Sequence, residues 1–261
     1  MVIKKIKLLL LFLSLLIIIS CLFTLAKEPV VKDELLVSAA SSLTDVMVAL
    51  GKEFETLNPG AKLIFNFAAT GALQTQIEQG APVDVFAGAS PANLKVLKRK
   101  GFLADEPFKI MAYNTLALVV RPGFPVNGES PFILLKKPEV NRIAIGDPAY
   151  VPAGQYALEL LIQLKLIESI RTKLIFATNV REALTWTETG EVDAAIVYGT
   201  DALISQKARL ITQSSPEAPV EISYVIAVTR QGKTNRFGRK FVDFVTSTAG
   251  KKILTRFGFL P

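Results

Sequence analysis

The sequence contains no histidine. That excludes a Ser-His-Asp triad, a Cys-His pair and the usual zinc sites, all of which need an imidazole. It contains one cysteine, Cys21, so no disulfide can form within the chain and stability must come from a packed core. It has no dense Lys/Arg run. The net charge of +7 falls to +4 once Lys4, Lys5 and Lys7 of the leading segment are set aside. Nucleic-acid binding is therefore not indicated, while a modest positive field still gathers anions. No P-loop is present, so the chain has no nucleotide-hydrolysing motif of its own.

What is present begins with a leader. Met1 to Lys7 is basic, and Leu8 to Ile19 is nearly all Leu, Ile and Phe, the pattern of an export signal over residues 1–26. Ile18-Ile-Ser-Cys21 resembles a bacterial lipobox, with Cys21 lipidated after cleavage. Thr24-Leu-Ala26 offers a conventional cleavage site instead, and Leu8 to Ala26 is just long enough for an uncleaved anchor. Residues 27–34 read as a polar tether.

The remaining chain is long enough for one large or two modest α/β units. Short apolar strands alternate with helices: Leu35–Val37, Lys62–Phe67 and Asp84–Phe86 each lead through a small-residue turn into a helix. The alternation resumes at Arg142–Ile145, Lys173–Phe176 and Ala194–Tyr198, which predicts parallel sheets with helices outside. Long apolar strands at Asn114–Val120 and Glu221–Thr229 bracket this second block. The expected architecture is two βα lobes joined by two crossing strands, with a ligand cleft between them. Residues 35–115 and 226–261 would form lobe I, and 116–225 lobe II.

Ligands in open α/β sheets bind at the carboxyl ends of the strands, where each helix start here is small and uncharged. In Gly146-Asp-Pro-Ala-Tyr-Val-Pro-Ala-Gly154, Pro152 suits the first turn of a helix and Ala153 offers a bare main-chain N–H. Ser42-Leu-Thr-Asp45 reads as a capping-box start, and Ser42 supplies a hydroxyl and an N–H. Thr70 supplies the same pair. Asn179 caps the next helix and leaves the Val180 N–H as an orphan donor. Tyr198 ends a strand with its phenol free to enter the cleft. Singly, each is an ordinary cap or core residue. Together they describe a pocket of neutral donors suited to a small tetrahedral dianion. Six or seven charge-assisted hydrogen bonds at roughly 1.5–3 kcal/mol each total on the order of 10–20 kcal/mol, against association costs of at least ~4 kcal/mol.

Six segments carry a family resemblance: Ala39-Ala-Ser-Ser-Leu-Thr44, Ala81-Pro-Val-Asp-Val-Phe86, Gly146-Asp-Pro with Val151-Pro-Ala-Gly154, Asn179-Val-Arg181, Ile196-Val-Tyr-Gly-Thr-Asp201 and Arg256-Phe-Gly-Phe259. In this order they resemble the periplasmic substrate-binding proteins of molybdate ABC transporters. The resemblance implies a type II periplasmic binding fold. It implies that Ser42, Thr70, Ala153, Val180 and Tyr198 hold molybdate, and usually tungstate, with molybdenum present only as that oxyanion and no cofactor. Many members carry serine where Thr70 stands. The implied protein is an exported monomer that delivers its ion to a permease and ATPase. A sulfate-type oxyanion-binding protein is the alternative within the class.

An enzyme with Ser42 or Thr70 as nucleophile would lack a histidine base and any Ser-x-x-Lys motif. The effector lobe of a transcription regulator would need a DNA-binding helix pair before residue 35, and the leader argues against it. Acids near a dianion would repel it, so Asp147 and Asp201 are read as caps or turn formers and Asp84 as a strand-start contact. Trp186 is read as helix packing, and Lys136-Lys137 and Lys251-Lys252 as solvated faces.

Overall fold

The computed structural model describes residues 33–126, 128, 130–213 and 221–261. The leader over 1–26, Cys21 and residues 27–32 of the tether lie outside the described residues. Asp33 and Glu34 already belong to the first strand.

Parallel strands covered on both faces need unbroken runs of small or β-branched residues. The buried end of β1 (Asp33–Ala40) and all of β3 (Val85–Gly88) supply them, while β2 (Ala61–Ala68), at the sheet edge, alternates buried and exposed residues; β1 lies between the two, with Val37 level with Phe65 on one side and Val85 on the other. β10 (Ile222–Val228) and β4 (Lys109–Asn114) extend the sheet antiparallel, in the order β2-β1-β3-β10-β4. The second sheet has the order β7-β6-β8-β5-β9. β6 (Ile143–Gly146) runs parallel to β7 (Leu174–Ala177) and β8 (Ala194–Tyr198). β5 (Leu116–Val120) lies antiparallel between β8 and β9 (Arg209–Gln213).

Helices follow the parallel strands: α1 (Thr44–Leu57), α2 (Thr70–Glu78) and α3 (Pro91–Arg99) in the first lobe. The second lobe carries α4 (Pro152–Gln163), the short α5 (Ile167–Ile170), α6 (Val180–Thr189) and α7 (Gly199–Ile204). α8 (Gly238–Thr246) and α9 (Thr248–Arg256) return to the first lobe. Period-2 alternation fills both faces of the first sheet. Val85 and Ala87 join the cluster with α1 and α8, where Phe54 meets Phe241 edge-on at 5.2 Å. Phe86, Val225 and Ala227 join Leu73, Ile77, Leu94 and Leu97 on the opposite face. Each Val, Leu, Ile or Phe among them contributes roughly 1.5–3 kcal/mol by leaving water. Among the described residues, no helix is long and apolar enough to cross a membrane.

Three features depart from the sequence reading. Asn114–Val120 is not one strand: Asn114 closes β4, Leu116 opens β5, and Thr115 is the crossing. β9 is an additional strand whose mixed, half-exposed residues suit a sheet edge and carry no apolar run to reveal them. The lobe boundary at 225–226 falls inside β10, which bonds to β3 and β4 through Ile222–Val228. Residues 222–225 therefore lie in the first sheet.

Register places the site. Ala40 is level with Ala68, Ala39 with Ala87, and Gly146 with Ala177. Leu116 pairs with Tyr198, and Ile222 with Asn114. The strand ends that launch the helices and the Thr115 crossing thus share one edge of each sheet.

Candidate functional site

At the end of β1 the chain makes a single 3-10 turn, Ser41–Leu43, before α1 begins at Thr44. Neither start has a side-chain cap, which corrects the reading of Ser42 as one. The Ser42 hydroxyl lies 2.9 Å from Tyr224 OH instead. Thr70 is the first residue of α2 and is buried, and its Oγ1 accepts the Ala89 N–H at 3.1 Å. Its hydroxyl proton is thereby free to point elsewhere.

In the second lobe, Pro152 opens α4 and places Ala153 in the first turn, where helix N–H groups have no intrahelical partner. Gly154 packs against Gly146 so closely that a Cβ on Gly154 would overlap the Gly146 carbonyl. That approach fixes the helix start against the strand end. Asn179 caps α6, and its Oδ1 accepts the N–H groups of Arg181 at 3.0 Å and Glu182 at 3.1 Å, which leaves Val180 outside the cap. Tyr198 ends β8; its hydroxyl is buried and makes no well-formed hydrogen bond.

These five residues, Ser42, Thr70, Ala153, Val180 and Tyr198, line one cavity between the lobes. Its other walls are small or apolar, chiefly alanines, and no Lys, Arg, Asp or Glu lines it. It is tight, with about 10 Å³ of free space, room for about one water molecule, so a tetrahedral oxyanion enters only as the walls part. Three helices of nine residues or more, α2, α4 and α6, start on it, so three dipoles turn their positive ends inward. Burial pushes the Tyr198 and Tyr224 phenols well above their ordinary range, so both remain proton donors. Among the described residues, no cluster of acids or cysteine could hold a bare metal ion.

The lobes touch around this cavity. Gly71 N–H donates to Tyr150 O at 2.9 Å, and Tyr156 OH stands 3.4 Å from Ala89 O. Arg181 Nη2 lies 2.7 Å from Asp45 Oδ2 in the other lobe. Arg181 Nε also lies 2.5 Å from Oδ1 of fully buried Asp201, at ion-pair distance but poorly aligned for a hydrogen bond. Burial pushes the Asp201 carboxyl up to about 6 against the pull of Arg181. Asp201 is thus a buried ionic partner rather than the turn former read from sequence. Asp147 does form a turn, its Oδ1 accepting the Ala149 N–H at 2.9 Å. Asp84 Oδ2 accepts the Leu36 N–H at 2.8 Å and bonds Asn235 at 3.0 Å, a structural contact. Trp186 packs against the core.

Sequence reasoning did not single out Tyr224, Asn114 or the pairing of Arg181 with Asp45 and Asp201. Arg181 stands in the Asn-Val-Arg segment quoted above, but nothing local says which acids it meets.

Residues 35–260 match the family model described as bacterial extracellular solute-binding protein. The chain is 33% identical over 228 residues to the molybdate-binding protein ModA of Haemophilus influenzae, covering 85% of this chain and 88% of that one. It is 30% identical over 233 residues to ModA of Escherichia coli (strain K12), covering 87% and 89%. Among solved structures, the Azotobacter vinelandii periplasmic molybdate-binding protein superposes with a TM-score of 0.78 at 20% identity, covering 87% of this chain and 99% of that one. This likeness bears out the type II periplasmic binding fold.

Proposed function

The chain belongs to the bacterial extracellular solute-binding proteins, and from that premise we propose that it captures molybdate, and with it tungstate, outside the cytoplasmic membrane and hands the ion to the permease of an ABC transporter. The ModA relatives support the choice of ion. One observation carries the chemistry: two hydroxyls, a phenol and two helix starts from both lobes line a single cavity with no charged wall.

On this reading the oxyanion accepts from the Ser42 and Thr70 hydroxyls, the Ala153 and Val180 main-chain amides and the Tyr198 phenol. The Tyr198 hydroxyl, which has no well-formed hydrogen bond, gains one when the ion arrives. No lysine or arginine neutralises the charge directly. The guanidinium of Arg181, the residue after Val180, is already held by Asp45 and Asp201. Charge-assisted bonds and helix dipoles supply the attraction, at roughly 1.5–3 kcal/mol per hydrogen bond. Closing the lobes removes water from the ion and strengthens each bond.

The test is a calorimetric titration of the purified protein with molybdate, tungstate, sulfate and phosphate. Micromolar or tighter binding of the first two, equivalent to about 8 kcal/mol or more, is expected. Sulfate, the alternative ligand, is a smaller dianion and should bind less tightly. No affinity for molybdate or tungstate would end the proposal, and sulfate as the tightest ligand would move the protein to the sulfate-type class. The expected monomer is checked by light scattering in the same samples. Mass spectrometry of the membrane-associated protein distinguishes a lipidated Cys21 from cleavage after Ala26.

A further inference from the structure

The Ser42 hydroxyl is useful to a dianion only if its proton points into the cavity. Its 2.9 Å bond to Tyr224 OH allows either oxygen to be the donor. The surrounding network removes that freedom. The main-chain N–H of Thr115 can only donate, and it reaches Asn114 Oδ1 at 2.8 Å. This fixes the Asn114 carboxamide, so its NH2 faces the other way. That NH2 donates to Thr200 Oγ1 at 2.9 Å and reaches Tyr224 OH at 3.4 Å. Around Tyr224 OH, the Asn114 NH2 can only donate and Tyr198 OH makes no well-formed bond, so Ser42 oxygen at 2.9 Å is left as the acceptor for the Tyr224 proton. Ser42 oxygen then accepts, and its remaining proton is left for the cavity. Ser42, Asn114 and Tyr224 are 3%, 6% and 0% exposed, so water does not compete for these bonds.

We propose that Asn114 and Tyr224 are positioning residues that hold Ser42 as an obligate donor, and that they thereby discriminate against oxyanions carrying a proton. The inference rests on Ser42 touching the ion. Hydrogen phosphate must place its own proton against an acceptor. Sulfate, of similar size, has no proton to place. An oriented Ser42 meets the first with proton against proton and the second with a bond. Asn114 is also the last residue before the Thr115 crossing. The orientation of Ser42 is thus anchored where the two lobes join.

The experiment measures molybdate, sulfate and phosphate affinities for wild type, Tyr224→Phe, Ser42→Ala and the double variant, with the melting temperature of each ion-free protein as a folding check. Tyr224→Phe should weaken molybdate about three- to tenfold, the scale of one neutral hydrogen bond. It frees Ser42 to rotate and accept, so the preference for sulfate over phosphate should narrow by about tenfold. The molybdate-to-sulfate ratio, which size sets, should stay within about twofold. In the Ser42→Ala background, Tyr224→Phe should change none of these values. Asn114→Asp is an independent second variant. It offers Tyr224 an acceptor, reverses the chain of donors and should also narrow the sulfate-to-phosphate ratio. An unchanged sulfate-to-phosphate ratio in both variants, or equal losses from Tyr224→Phe with and without Ser42, would overturn the orienting role. Wild-type protein that binds none of the three ions would instead remove the functional reading, and this inference with it.

Discussion

Arg181 of α6 reaches Asp45 of α1 at 2.7 Å, so one guanidinium ties the second lobe to the first beside the cavity. The Arg181 side chain is 25% exposed and Asp45 46%, so solvent screens the pair and its worth to stability is under about 1 kcal/mol. Its effect belongs to the closed arrangement, because the two groups come from different lobes. Asp45→Asn should leave the melting temperature of the ion-free protein nearly unchanged. Molybdate should dissociate about two- to fivefold faster, with little change in association rate. Stopped-flow fluorescence reads both, and a change confined to the association rate would contradict this role.

Asp201 makes stability depend on pH. Its carboxyl stands near 6 in the folded protein against an ordinary 3.8, because burial outweighs the pull of Arg181. Between those values the folded state holds a proton that the unfolded state has lost. Its contribution is therefore present below about pH 4 and declines as pH rises to about 6. At ~1.4 kcal/mol per pH unit the decline is at most about 3 kcal/mol. Asp201→Asn should abolish that part of the slope. Urea unfolding of both proteins from pH 4 to 7 gives the difference curve, in which the other carboxyls cancel. A flat difference curve would show that Asp201 titrates as it does in water.

Tyr198→Phe separates ligand chemistry from folding. The hydroxyl has no well-formed protein bond, so removing it should leave the ion-free protein as stable or slightly more so. Molybdate affinity should fall by roughly 1.5–3 kcal/mol, about ten- to hundredfold. Loss of stability with intact affinity would place the hydroxyl outside the ion's reach.

Much of this arrangement is legible in the sequence because it is local chemistry. β-branched runs, small-residue turns and capped helices place every strand that launches a cavity-lining helix. Asn179 caps α6 as its side chain dictates. What is not legible depends on register between distant elements. Ser42-Leu-Thr-Asp45 has the pattern of a cap, yet an intervening 3-10 turn moves the helix start to Thr44, and Tyr224, 182 residues away, takes the hydroxyl. Asp201 reads as a turn former because nothing in its neighbourhood shows that Arg181 will pack against it. The lobe boundary slips to the middle of β10 because that strand is buried from end to end with no break in its pattern, and only its pairing with β3 and β4 tells which sheet owns it.

Gly71→Ala probes closure alone. A Cβ at Gly71 would stand 2.6 Å from the Tyr150 carbonyl oxygen and 2.9 Å from its Cα, both main-chain atoms of the opposite lobe. An open protein has no such neighbour, so folding should be near normal, within about 1 kcal/mol, and the helix gains slightly from alanine. Affinity for molybdate should fall at least about tenfold, since the closed state is obstructed. Small-angle scattering should show no compaction on adding the ion. Normal compaction with normal affinity would mean that Tyr150 moves aside without cost.

The bond from Gly71 N–H to Tyr150 O joins the lobes through main chain. It exists only while the lobes meet, so it must break before a captured ion can leave. The rate of release then reports the parting of two main chains as well as the ion's own bonds.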